Sequence, residues 1–333
     1  MGAEDLVRVL KQIAPLDHSW VEPDVGPLED AALVRPENGP LLAFTVDFIT
    51  PVVDDPETFG AVAAANALSD VYAMGGEPQV ALAICGFPED VVSPTVLARI
   101  FRGGRDKAAE AGCAIVGGHT VLDPELKYGL CVLGRVDRDP PFSQTHARVG
   151  DRLVLTKPLG LGIAAQAIKR QRLDAADLAR VAAVMTTLNR GAKDAALAAD
   201  ARTATDITGF GLLGHLHHLL QASGVAARLF AEAVPVLDCV RPLAEDGQVP
   251  AGTRKNLAYV EPHTRFEPGL PAAEALVLAD AQTSGGLLIA VPPEGESMLL
   301  AELERRGTPA RAVVGEIVKG EAGHVEVVGR LAR

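Results

Sequence analysis

Six apolar runs of strand length, at residues 41–49, 80–87, 128–136, 153–156, 287–291 and 312–318, alternate along the chain with longer stretches of helical periodicity. That alternation admits few architectures, because helices with one apolar face must lie on sheets. The chain therefore reads as α/β or α+β. Helices are expected over 3–13, over 59–74 with a stop at Gly75-Gly76, over 93–111 with a stop at Gly112, over 174–199, and over 212–222 before Gly224. The pattern breaks between Asp137 and Gly150, where Asp139-Pro140-Pro141 and Ser143-Gln144-Thr145-His146 intervene. The expected division is a first domain over 1–140 and a second over 150–333, which suits a length of 333 residues. Whether the early strands pair parallel or antiparallel is left open.

Composition excludes several classes. With 48% hydrophobic and 22% charged residues, the chain has too much to bury to be disordered. A net charge of −12, from 31 basic and 43 acidic residues, repels a polyphosphate backbone, and no basic patch offsets it. Nucleic acid is not an expected partner. No apolar run reaches the roughly 18 residues of a bilayer span, and a cytoplasmic location is expected. Cys85, Cys113, Cys131 and Cys239 show no paired spacing and read as small buried hydrophobes. His215, His217 and His218 are bunched too closely for an i, i+4 metal pair and read as structural.

The chemistry-bearing pattern is a set of aspartates at the ends of expected elements. Asp47 interrupts the apolar strand 44–49, where a carboxylate is costly unless it meets a cation or donors. Asn66 and Asp70 lie four apart on the next helix and share a face. Asp30 precedes an apolar segment, and Asp206 stands immediately before a helix; either could be a simple cap. Carboxylates from several separate turns are how proteins hold Mg²⁺, an ion that shares its remaining ligands with phosphates and water. Two glycine-rich turns, at 116–120 and 282–286, add places where backbone N–H groups can approach an anion. The usual phosphate-loop and dinucleotide signatures are absent.

Six stretches together resemble the selenophosphate synthetase, or selenide, water dikinase, family: 45–54 (TVDFITPVVD), 66–76 (NALSDVYAMGG), 117–120 (GGHT), 155–160 (LTKPLG), 205–216 (TDITGFGLLGHL) and 282–288 (QTSGGLL). They occur in family order over nearly the whole chain. The resemblance implies a two-domain aminoimidazole ribonucleotide synthetase-like fold, dimeric, with the first-domain sheets joined across the interface. It implies conversion of ATP, selenide and water to selenophosphate, AMP and phosphate, with Mg²⁺ and a monovalent cation such as K⁺, and possible delivery of selenium by a partner protein. Position by position, Asp30, Asp70 and Asp206 match the family's Mg²⁺ ligands. Pro27, Leu28, Glu29, Asp47, Asp70, Gly118, His119 and Thr120 match its nucleotide contacts.

One departure accompanies the match. The family carries a glycine-rich arm with a Cys or selenocysteine and a nearby Lys ahead of the first helix, whereas this sequence opens at Met1-Gly2-Ala3-Glu4-Asp5 with neither residue. Lys11 does not match the motif, so no catalytic nucleophile or cation is assigned, and the expectation is a truncated sequence. The alternative readings are a nucleotide-binding protein without turnover, or another ATPase of the same superfamily such as thiamine-monophosphate kinase.

Overall fold

The computed structural model describes residues 18–22 and 29–332. The expected helix over 3–13, and the candidate contacts Pro27 and Leu28, lie outside the described residues. Two sheets divide the chain. The first joins β1 (Ala32–Val34), β2 (Leu41–Ile49), β3 (Glu77–Phe87), β4 (Ala114–Leu122) and β5 (Lys127–Val136) in the order β1-β2-β5-β3-β4. Only β3 and β4 pair parallel; the other neighbours are antiparallel.

Two helices cover one face of this sheet. The first, α1 (Pro56–Ala73), starts where the Asp55 carboxylate accepts from the Thr58 N–H and Pro56 fills the first helical position. It ends at Met74, before Gly75 in the left-handed conformation. The second, α2 (Pro94–Glu110), crosses α1 at glycines. A Cβ on Gly60 would stand 1.9 Å from the Ile100 carbonyl oxygen, and one on Gly103 would stand 1.8 Å from that of Glu57. The helix backbones therefore meet directly, a distance no side chain larger than hydrogen permits.

The second sheet joins β6 (Arg152–Leu155), β7 (Thr203–Asp206), β8 (Ala226–Phe230), β9 (Thr264–Arg265), β10 (Leu287–Val291), β11 (Ala312–Val318) and β12 (Val325–Val328), in the order β7-β10-β6-β11-β8-β12-β9. Its helices include α3 (Leu161–Lys169), α4 (Ala175–Thr186), α5 (Arg190–Ala198) and α6 (Gly211–Ser223). Residues 174–199 thus form two helices where the periodicity suggests one. The Thr186 and Thr187 hydroxyls donate back to the carbonyls of Ala182 and Ala183, and the chain opens at Thr187–Asn189. The break frees Asn189 to make contacts described below.

The placement that matters most is that of α1. It is buried around most of its circumference, because one side lies on the first sheet and another packs against β7, α4 and α5 of the second domain. Carboxylates on α1 therefore stand at the junction of the domains. Among the described residues, no helix is long and apolar enough to cross a membrane.

Candidate active site

Four aspartates gather at that junction. Asp47 lies on β2, Asp70 on α1, Asp206 at the end of β7, and Asp30 just before β1. Three of them are each held by a neutral side-chain donor. The Thr45 hydroxyl donates to Asp70 at 2.5 Å, the Asn66 amide donates to Asp47, and the Thr205 hydroxyl donates to Asp30 at 2.9 Å. The spacing of Asn66 and Asp70 on one helix face puts both against β2.

Charge makes this arrangement costly. Burial pushes the Asp30 carboxyl well above the usual carboxylate range, with repulsion from Asp206 and Glu29 adding to it. Asp70 is raised by burial and then by Asp206, Asp47 and Asp30. Burial also raises Asp47, and it pushes Asp206 up to about 6 with help from Asp47. Carboxylates that raise one another this way are poised for a cation. Asp30, Asp47 and Asp70 are half-buried, so they keep some accessible surface, whereas Asp206 is 1% exposed.

The donor set suits Mg²⁺. All of it is carboxylate oxygen, and Asp206 Oδ2 is buried without a hydrogen-bond partner. Among the described residues, no three Asp, Glu, His or Cys side chains lie close enough to enclose one ion by themselves. Mg²⁺ is ordinarily held by one or two carboxylates and completes its shell with phosphate oxygens and water.

The other expected contacts fall in two places. The Glu29 carboxylate accepts from the Ser143 hydroxyl and from the Gln144 N–H at 3.0 Å, so the segment between the domains holds it beside Asp30. Gly118, His119 and Thr120 lie inside β4, a strand and not a turn, and Gly118 is there because a Cβ would stand 2.1 Å from the Ala83 carbonyl oxygen of β3. They line a separate cavity of about 810 Å³ with Arg102 and Arg105. Two strands, β5 and β3, separate β4 from β2 and its Asp47.

Several supporting residues carry no sequence signal of their own. Gln144, 3% exposed, directs its amide to Asp30 and to Thr205, at 3.4 Å in each case, although its segment reads only as a domain boundary. Asn189 donates to the Ser69 hydroxyl and to the Gly285 carbonyl, both at 2.8 Å. The bunched histidines are all buried. His215 accepts from the Thr208 N–H at 3.1 Å, and burial holds it down at about 3. Burial likewise pushes the thiols of Cys85, Cys113 and Cys239 up to about 11, which keeps them protonated.

The fold and this site define a class: the chain matches the AIR synthase related protein N-terminal domain over residues 28–136 and the corresponding C-terminal domain over 148–328. The solved structure of AaThiL complexed with AMPPCP and TMP shares the fold, with a TM-score of 0.69 at 20% identity over 98% of this chain and 93% of that one. Within the class the likeness is much closer to one group. The selenide, water dikinase of Myxococcus xanthus (strain DK1622) is 45% identical over 99% of this chain and 93% of its own length. That of Nitratidesulfovibrio vulgaris (strain DSM 19637 / Miyazaki F) is 46% identical over 91% of this chain and 86% of its own. The chain belongs to the selenide, water dikinase family.

Proposed function

We propose that this chain transfers phosphoryl groups from ATP to selenide and water, yielding selenophosphate, AMP and phosphate, at the carboxylates between its domains. The observation that carries the reading is the convergence of Asp30, Asp47, Asp70 and Asp206 from three elements and one loop, in a chain with this family relationship. Asp30, Asp70 and Asp206 would hold Mg²⁺, and Asp47 and Glu29 would face the nucleotide. The ions would neutralise charge that develops along the polyphosphate, which an acidic pocket would otherwise repel. A monovalent cation such as K⁺ belongs to the same reading. Phosphorus NMR of ATP, Mg²⁺ and selenide with the protein tests it: a selenophosphate signal with matching AMP is expected. AMP formation that ignores selenide would indicate a different ATPase, and no reaction with retained ATP binding would indicate a binding protein.

The carboxylate shifts fix the expected pH response. Folded carboxylates that hold protons up to about 6 or above, as Asp206 does, keep protons which unfolded aspartates release near 3.8. Their contribution to the stability of the metal-free chain therefore falls as pH rises through the folded values. Mg²⁺ competes with those protons, so its stabilising effect is greatest above pH about 7 and fades toward pH about 5. Thermal melts with EDTA or Mg²⁺ at both pH values measure the difference. Equal Mg²⁺ increments at the two pH values would contradict the assignment.

A homodimer completes the reading. The face of the first sheet turned away from α1 and α2 is bare and apolar: Phe44, Val46 and Phe48 on β2, Leu82 on β3 and Val121 on β4 are all exposed, Val46 at 57%. Exposed apolar residues grouped on one sheet face support an interface there. Val46→Lys with Phe48→Lys should convert a dimer to a monomer in light scattering after gel filtration; a monomeric parent chain would contradict the proposal.

A further inference from the structure

Lys157, just after β6, is hard to explain by packing. Its side chain is 1% exposed, and its Nζ donates to the Ser284 carbonyl at 2.7 Å. Among the described residues no carboxylate lies within ion-pair distance of it, and Asp206 acts on it only at longer range. Burying an ammonium against a neutral carbonyl is costly, and desolvation drives this one down to about 7. A methionine would fill the same space without that cost.

What the ammonium holds is the turn 283–286. Ser284 sits there at φ 55°, a left-handed conformation unusual for a residue with a Cβ, and its hydroxyl is buried without a partner. Its N–H donates to Asn66 Oδ1 at 2.7 Å, and the other end of the same Asn66 side chain donates to Asp47. Gly286 packs on Lys157 so closely that a Cβ would stand 2.4 Å from the Lys157 nitrogen of the main chain. A continuous path therefore runs from the Lys157 ammonium through Ser284 and Asn66 to the Asp47 carboxylate.

We propose that Lys157 is a positioning residue of the carboxylate site, fixing the 283–286 turn so that Ser284 orients Asn66 and, through it, Asp47. The inference rests on the Mg²⁺–nucleotide reading above. Lys157 acts through the turn and is not itself a ligand. Groups that orient a metal or nucleotide carboxylate in this way typically change affinity by about 10- to 100-fold when removed.

Calorimetric titration with Mg²⁺ and AMPPCP tests it on Lys157→Met, Asp47→Asn and the double variant, alongside melting curves without nucleotide. Lys157→Met should weaken binding by about 10- to 100-fold while leaving the melting temperature unchanged or higher. The double variant should bind no more weakly than Asp47→Asn alone, because residues on one path are not additive. Unchanged affinity in Lys157→Met beside a weakened Asp47→Asn overturns the positioning role and leaves the nucleotide reading standing. Strictly additive losses overturn it as well. If Lys157→Met does not fold, Lys157→Gln takes its place in the same cycle; a chain that tolerates neither makes Lys157 a folding residue and overturns the proposal. A parent chain that fails to bind Mg²⁺ and AMPPCP overturns the nucleotide reading and this inference with it.

Discussion

Replacing Asp206 with Asn is expected to weaken Mg²⁺-dependent nucleotide binding by roughly 100-fold or more, beyond the range typical of outer partners of a metal site, without loss of fold. The two halves of that expectation have separate causes. Asp206 holds its place in the sheet by backbone pairing opposite Leu287, which Asn preserves. Its carboxylate is 1% exposed, repelled by Asp47, and carries a buried oxygen with no partner. Removing that charge relieves a desolvation cost, so the melting temperature should stay level or rise. The same removal takes away an oxygen that a divalent ion needs. Calorimetry with AMPPCP across a Mg²⁺ titration measures the loss, and unchanged affinity would remove Asp206 from the ligand set.

Gly285→Ala is expected to destabilise the second domain strongly for a change of one methyl group. A Cβ there would stand 2.0 Å from the Ile207 carbonyl oxygen. That oxygen cannot easily retreat, since the Ile207 N–H is bonded to the Gly286 carbonyl at 2.9 Å and Ile207 directly follows Asp206. The turn must move instead, which disturbs the Asn189 bond to Gly285 and the Ser284 bond to Asn66. Overpacking usually costs about 1–3 kcal/mol, and a clash with backbone belongs at or above the upper end. For a domain of this size about 3 kcal/mol corresponds to a fall of roughly 6–12 °C in melting temperature. Gly252→Ala is the control, because a Cβ at Gly252 meets nothing within 4 Å and lies in a helix, where alanine is preferred. Equal melting temperatures for the two variants would contradict the packing argument.

The contrast between these glycines shows what was legible in the residues and what was not. Strands 41–49, 287–291 and 312–318 are readable because their apolar runs are long and bounded by turn residues. The four aspartates stood out because carboxylates interrupt apolar runs or sit at turns. Strand β4 is not legible as a strand: Gly117 and Gly118 mimic a turn, and the close approach of Ala83 accounts for Gly118 alone. The split between α4 and α5 was hidden because Thr187 and Asn189 are tolerable inside a helix, and it is tertiary contact with Ser69 and Gly285 that gives Asn189 its purpose. Gln144, Lys157 and Thr205 act on the site across distances in sequence of 61 to 175 residues, from Gln144 to Thr205 and from Thr205 to Asp30. No local pattern encodes such pairs.

The central claim is that carboxylates from both domains converge on divalent ions that clamp a triphosphate. Crystals grown with Mn²⁺ and AMPPCP, phased to show anomalous scattering from manganese, test it most directly. The account predicts manganese bound to the Asp206 carboxylate and to Asp30 or Asp70, bridging to the nucleotide phosphates. Nucleotide and manganese bound together at a place that none of these aspartates reaches would contradict it.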